Sequence, residues 1–315
     1  MNQDVVLVTG GAGFIGSWLC EELLKQDFHV VCIDNLCTGR KQNISHLEKN
    51  KNFEFINHDV TKPLPKSLGK IDFISHLASP ASPPSYQKLA IETLLVNSTG
   101  TLNLLELARK NNARFLFAST SEVYGNPFEH PQKEEYWGNV NPNGIRSMYD
   151  ESKRFGEALC MAYFRKYSID LRIARIFNTY GPKMRADDGR VISNFINQSL
   201  QNKPLTVYGD GKQTRSLCYI SDLVEGLLSL MLTQGISGEV VNLGNPNERT
   251  IIELAEIIRR LTNSESEIIF EELPKDDPER RCPDINKAKK LLNYSLKVNL
   301  EEGLKKTVEW YKNNL

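Results

Sequence analysis

Along residues 1–176, short and almost wholly apolar runs alternate with longer stretches whose apolar positions recur at helical spacing. The runs at 5–8, 29–33, 53–56, 71–77, 114–118 and 171–176 read as strands buried on both faces of a parallel sheet. Segments 17–25, 86–110 and 147–166 read as helices. The second is expected as one long amphipathic rod with Leu89, Thr93, Val96, Leu102, Leu105 and Leu107 near one face. The run 78–84, crowded with prolines and serines, predicts a fixed loop rather than helix or ladder. A second loop, 123–146, is long enough to be functional or partner-facing. Beyond 176 the alternation loosens: helices are predicted at 191–200, 221–232, 251–261, 285–292 and 300–314, and strands at 205–207, 216–219, 239–243 and 268–270. The pattern predicts an α/β fold, a doubly wound parallel (Rossmann) sheet with a smaller C-terminal α/β substrate lobe. The boundary is drawn at 1–176 for the dinucleotide-binding domain, with segments near 216–245 returning to it, and 177–315 for the lobe.

The first apolar run leads into Thr9-Gly10-Gly11-Ala12-Gly13-Phe14-Ile15-Gly16, and the second ends at Asp34. A strand, a glycine turn and a helix in that order form the first half of a dinucleotide site. Gly10 permits the tight turn, Gly13 lets a pyrophosphate approach the backbone, and Gly16 allows close helix–strand packing. The helix N-terminus offers free N–H groups to the phosphates. Asp34 stands at the separation where an acid grips the adenosine ribose diol and repels a 2′-phosphate, which favours NAD over NADP.

Composition narrows the function classes. The 315 residues are 40% hydrophobic and 25% charged, with 39 basic and 39 acidic side chains, so no net field draws nucleic acid or an anionic membrane. Six cysteines show no paired metal spacing, and no metal site is predicted; they read as reduced residues of a cytoplasmic protein. The first strand starts almost at the N-terminus, so no signal peptide is expected, and no apolar stretch approaches the roughly 20 residues of a membrane span.

Candidate chemistry gathers at two places. Tyr149 and Lys153 lie four apart on one helix face, where the ammonium and a bound nicotinamide would lower the phenol's pKa and make it a base. Thr120, Ser121 and Glu122 end a buried strand, where open α/β sheets bind ligands. Glu122 can position a water, move a proton or pair with an arginine. Arg280 and Arg281 follow the acidic run 276–279, either as a solvated face or as a bidentate clamp for a carboxylate or phosphate. The turn 208–215 is either a nucleotide-diphosphate cradle or an ordinary β-hairpin.

Together the glycine loop, Ser119-Thr120-Ser121-Glu122 and Tyr149-x-x-x-Lys153 resemble an extended short-chain dehydrogenase/reductase acting on nucleotide sugars. The run Ser79-Pro80-Ala81-Ser82-Pro83-Pro84, the segments 136–142, 175–182 and 207–216, Asp276-Asp277-Pro278 and Arg281-Cys282-Pro283 narrow this to the UDP-glucuronic acid decarboxylase (UDP-xylose synthase) branch. The resemblance implies a carboxy-lyase that oxidises C4 of UDP-glucuronate with tightly bound NAD, decarboxylates the 4-keto acid and reduces it to UDP-xylose. Tyr149 would take the C4 proton, Lys153 would hold the phenolate, Arg281 would orient the carboxylate, and Thr120, Ser121 and Glu122 would assist. Cofactor contacts fall on Gly10, Gly13, Phe14, Ile15, Gly16, Asp34, Asn35, Thr38, Gly39, Asp59, Val60, Leu77, Ala78 and Ser79, besides Tyr149 and Lys153. Substrate contacts fall on Pro83, Tyr86, Asn178, Arg185, Val191, Asn194, Thr206, Tyr208, Gln213, Arg215 and Arg281. Ser152 replaces a glycine common in the family and is expected on the helix face away from Tyr149. The family also implies a homodimer built from the 86–110 and 147–166 helices as a four-helix bundle. The alternatives are an oxidative decarboxylase releasing UDP-4-keto-pentose and NADH, a UDP-sugar 4-epimerase, and a dinucleotide-binding sensor.

Overall fold

The computed structural model describes residues 3–273 and 280–314; the acidic run 276–279 lies outside the described residues. Strands β1 (Val5–Thr9), β2 (His29–Asp34), β3 (Phe53–Asn57), β4 (Phe73–His76), β5 (Arg114–Thr120), β6 (Leu171–Ile176) and β7 (Glu239–Leu243) form one sheet in the order 7-6-5-4-1-2-3. Every pairing in it is parallel. Because side chains alternate across a strand, the apolar runs feed two separate cores. Val6, Val8, Val30, Cys32 and Leu116 face one, with Leu19 and Leu23 of helix α1 (Phe14–Lys25). Leu7, Val31, Ile33, Phe115 and Phe117 face the other, against the helices on the opposite side. Continuous hydrophobicity is thus the mark of a sheet covered on both faces. The chain winds outward in both directions from β1 and β4, which opens a crevice beyond their C-terminal ends.

The long helix predicted over 86–110 is broken. Helices α2 (Pro83–Lys88), α3 (Ala90–Leu95) and α4 (Thr101–Asn111) are separated by Leu89, at φ −110° and ψ 48°, and by a π-helical turn at Val96–Gly100. The wider turn rotates the face, so Leu104 and Leu105 are buried while Leu102, expected inside, is exposed. Pro83 and Pro84 open α2 instead of forbidding it, because a first helical turn needs no N–H from them. Asn97 in the π turn donates to the Ser79 and Ser152 hydroxyls at 3.0 and 3.1 Å, tying the 78–82 loop to helix α5 (Ser147–Tyr167). Ser152 is therefore buried between helices and also donates to the Tyr149 carbonyl at 3.0 Å; three residues along a helix is the same side, not the far one.

Helices α6 (Val191–Leu200), α7 (Ile220–Leu232), α8 (Ile251–Thr262), α9 (Asn286–Leu292) and α10 (Leu300–Asn314) complete the described chain. Short strands at Leu205–Tyr208 and Thr214–Ser216 do not pair with each other. The first pairs with Ile268–Glu271; the second lies between Glu248–Thr250 and Arg280–Arg281. The turn 208–215 is accordingly a connection between two small sheets, which removes the hairpin reading. No helix among the described residues is long and apolar enough to cross a membrane.

Candidate active site

A cavity of about 860 Å³ lies at the C-terminal ends of β1, β2, β4 and β5. At one end the glycine loop is packed against its surroundings. A Cβ on Gly10, which sits at φ +74°, would lie 2.7 Å from the Ala78 nitrogen, and one on Gly16 would lie 2.2 Å from the Gly10 carbonyl. A Cβ on Gly13, the residue before α1, would meet only that same carbonyl, at 3.1 Å. Its open side faces the cavity, as a close phosphate approach requires. Asp34 accepts from the Ala12 and Leu36 nitrogens at 3.0 and 2.8 Å; burial nonetheless pushes its pKa up. Phe14, Ile15, Asn35, Thr38, Asp59, Val60, Leu77, Ala78 and Ser79 line the same end. Gly39 does not; it lies behind Asp34, where any Cβ would come within 2.7 Å of the carboxylate. These features fit a dinucleotide.

At the middle stand Tyr149 and Lys153, both on α5 and both buried. The Tyr149 ring stacks on Tyr86 with centroids 4.9 Å apart and planes 7° from parallel. Lys153 Nζ donates to the Ala118 carbonyl at 2.8 Å and sits 6.0 Å from the Tyr149 ring centre. The expected lowering of the phenol pKa does not come from the chain. Burial pushes Tyr149 up to about 12, against the Thr120 hydroxyl and the Arg190 charge, and pulls Lys153 down to about 7. Desolvation costs each group its charged form and is the largest cause of both shifts.

Glu122 follows β5 in a short 3₁₀ turn. Its Oε2 accepts from Arg146 at 2.7 Å and from Arg281 at 3.2 Å, and Arg281 also donates to the Ser121 carbonyl. Burial disfavours the charge on Glu122, but Arg281 and Arg146 overcome it and hold the carboxyl well below its usual range. Arg281 is 1% exposed whereas Arg280 is exposed, so the basic pair is half clamp and half surface. Arg215 donates to the Thr214 carbonyl at 2.8 Å beside this cluster.

Pro83, Tyr86, Asn178, Arg185, Val191, Asn194, Thr206, Tyr208, Gln213, Arg215 and Arg281 also line this cavity. Arg185 pairs with Asp187 at 2.6 Å and reaches the Thr38 carbonyl at 3.4 Å, so the chain after β6 touches the loop after β2. The sequence reading missed Arg146, Asp150 and His76. Arg146 immediately precedes α5 and Asp150 follows Tyr149, but nothing in their spacing marks a partner 24 or more residues away. Burial and the Glu122 charge push the Asp150 carboxyl up to about 8, and its Oδ1 has no hydrogen-bond partner. His76 bridges Thr9 and Thr101 at 2.8 and 3.1 Å, and burial pulls it down to about 3, so it is a neutral strut beneath the glycine loop.

Residues 6–244 match the NAD dependent epimerase/dehydratase family. The chain is 53% identical over 314 residues to UDP-glucuronic acid decarboxylase 1 of Xenopus tropicalis, covering 100% of this chain and 73% of that protein. It is also 53% identical over 310 residues to UDP-glucuronic acid decarboxylase 1 of Arabidopsis thaliana, covering 98% and 70%. The structure superposes on UDP-glucuronic acid 4-epimerase from Bacillus cereus, in complex with UDP-glucuronic acid and NAD, with a TM-score of 0.90 and 35% identity over 98% of this chain and 99% of that one. The chain belongs to the NAD dependent epimerase/dehydratase family, and within it to the UDP-glucuronic acid decarboxylases.

Proposed function

We propose that this chain decarboxylates UDP-glucuronate to UDP-xylose through a UDP-4-keto sugar, with NAD recycled inside each turnover. The observation that carries the reading is Arg281, a buried guanidinium fixed by Glu122 on the wall of the cavity that also holds Tyr149. The glycine loop and Asp34 would hold NAD, which would supply a reversible hydride acceptor for C4. Tyr149, beside the Thr120 hydroxyl, accepts the C4 hydroxyl proton and later returns it. A carboxylate at C5 is then beta to the new carbonyl, so its electrons flow into an enolate as carbon dioxide departs. Arg281 orients that carboxylate with the help of Ser121, and C5 takes from solvent the one proton that loss of carbon dioxide consumes, before the C4 carbonyl is reduced. Glu122, ionised between two arginines, keeps Arg281 in place rather than donating the proton. Lys153 holds the phenol's neighbourhood and the nicotinamide ribose, while the glycine loop and Asp34 hold the rest of the cofactor. The far end of the cavity takes the uridine diphosphate.

The domain division follows the same reading: 1–176 with the returning strand β7 carries NAD, and 177–315 mainly carries the UDP-sugar. A homodimer is supported by Ile91, Leu94, Leu95, Leu102 and Phe155, which are exposed on α3, α4 and α5. Six free cysteines, five of them buried, fit a reducing cytoplasm.

The test is to incubate the purified protein with UDP-glucuronate, without added cofactor, and follow the sugar by proton NMR. UDP-xylose without net NADH is expected. A released keto-pentose with NADH would replace the reading by oxidative decarboxylation, and UDP-galacturonate by epimerisation. No reaction even after NAD is added would overturn it.

A further inference from the structure

Next to Arg281 in the chain, among residues that do not line the cavity, a histidine, a carboxylate and a thiol converge. A nitrogen of His130, an oxygen of Glu248 and the Cys282 sulfur all lie within 4.8 Å of one another. They come from three segments that fold together only here: the 123–146 loop, the strand Glu248–Thr250 and the residue after Arg281. Nothing in their spacing along the chain suggests a site.

The frame around them is built. His130 Nε2 meets Glu248 Oε2 at 2.8 Å, and the other Glu248 oxygen accepts from the Thr214 hydroxyl. Buried Gln132 clamps Cys282 from both sides, accepting from its nitrogen at 2.9 Å and donating to its carbonyl at 2.8 Å. The thiol donates to the Pro246 carbonyl at 3.3 Å. His130 and Glu248 are part-exposed, at 31% and 25%, while Cys282 is buried, so the cluster has an entrance on one side and a dry floor on the other.

We propose that His130, Glu248 and Cys282 bind one zinc-type divalent cation. One nitrogen, one oxygen and one sulfur suit a borderline-soft ion with no geometric preference of its own, and three protein ligands leave a fourth position for water. Tetrahedral ligands at ordinary zinc distances stand about 3.5 Å apart; His130 and Glu248, at 2.8 Å, are closer than that and the Cys282 sulfur lies within 4.8 Å of both, so loading parts the first two and shifts the sulfur toward the ion. Cys282 moves with them, and its chain neighbour Arg281 is wedged between Glu122 and the Ser121 carbonyl. Displacements near 1 Å at a positioning group cost up to about a hundredfold in rate, so the loaded protein turns over more slowly while its nucleotide contacts stay intact.

The holoenzyme, dialysed against chelator and titrated with Co²⁺, is expected to develop near-ultraviolet thiolate-to-cobalt absorption that saturates at one equivalent and is displaced by Zn²⁺. Cys282→Ser removes that absorption, and Cys37→Ser, at the exposed thiol, keeps it. His130→Ala, a surface change that the fold tolerates, weakens Co²⁺ binding by at least about tenfold. No thiolate absorption, its survival in Cys282→Ser, or unchanged affinity in His130→Ala each overturn the site. Zn²⁺ is expected to slow UDP-glucuronate turnover in the native chain and not in His130→Ala; equal slowing in both overturns the link to Arg281. The absorption readout uses no substrate, so it stands or falls separately from the proposed reaction.

Discussion

Tyr149 and Asp150 are neighbours whose buried surroundings assign them different work. The Tyr149 phenol is neutral when the chain's own groups act alone, pushed up to about 12 by burial. Its conversion to a base therefore depends on the positive ring of the bound cofactor and on the substrate hydroxyl. Tyr149→Phe is expected to lower turnover about 10²–10⁴-fold while the protein still carries NAD, read as kcat beside the bound-cofactor spectrum; near-normal turnover would put the proton transfer elsewhere. Asp150 is protonated in the fold because burial and the nearby Glu122 charge oppose a second anion. Its raised pKa contributes stability that is full below the ordinary carboxylate range and is lost as pH rises through about 8. Glu122 is the reverse case: its contribution is present above the ordinary carboxylate range and is lost only as pH falls through its depressed value. The native chain should thus lose melting temperature steadily as pH rises from the ordinary carboxylate range to about 8 and level off above it, and Asp150→Asn should flatten that slope. Parallel curves for the two proteins would show that another group titrates there. The identities of Tyr149, Lys153, Glu122 and Arg281 as candidates were legible in their motifs. Arg146 and Asp150 were not, because their roles arise from Glu122, in the turn after β5, and from Arg281, both far away in the chain.

Elements carry the cofactor site by packing as much as by motif. Gly16 has no room for a methyl group, since its Cβ would press on the Gly10 carbonyl at 2.2 Å and the Gly11 Cα at 2.8 Å. Gly16→Ala is expected to cost about 1–3 kcal/mol of stability and to lose NAD. Gly13→Ala should lose NAD at a smaller cost in melting temperature than Gly16→Ala, because its Cβ would meet only the Gly10 carbonyl, at 3.1 Å, while Gly13 lines the cavity. Thermal melts with measurement of bound cofactor separate the two, and equal destabilisation would refute the distinction. Strands were read well because a two-sided sheet demands continuous apolar runs. The 86–110 helix was misread because its breaks at Leu89 and Val96–Gly100 leave the coarse hydrophobic period intact. They are settled instead by where Tyr86 must stack on Tyr149 and Asn97 must reach Ser79 and Ser152.

At the scale of the whole molecule, the broken helix leaves an apolar face. Ile91 is 63% exposed and Phe155 51% exposed, on α3 and α5, which pack side by side. A face of this kind marks an interaction surface, and the proposed dimer covers it. Ile91→Glu with Phe155→Glu is expected to convert the protein to a monomer in light scattering after size exclusion; an unchanged mass would place the interface elsewhere. The chain after β6 meets the loops and helix of the first half through Arg185 at Thr38, Lys183 at Glu21 and Trp18 at the Pro182 carbonyl, which ties the two halves together around the cavity. What the sequence determined by itself was local: the strand–turn–helix order, the glycine loop with Asp34, the phenol–ammonium spacing and the family motifs. Each depends on residues close together in the chain or on a repeating period. What the tertiary structure decided was everything set by contact between distant segments: the breaks in the helix, the ion cluster around Glu122, the buried state of Arg281 and the meeting of His130, Glu248 and Cys282. Charge interactions and burial depend on three-dimensional distance and the exclusion of water, and neither is written in the order of residues.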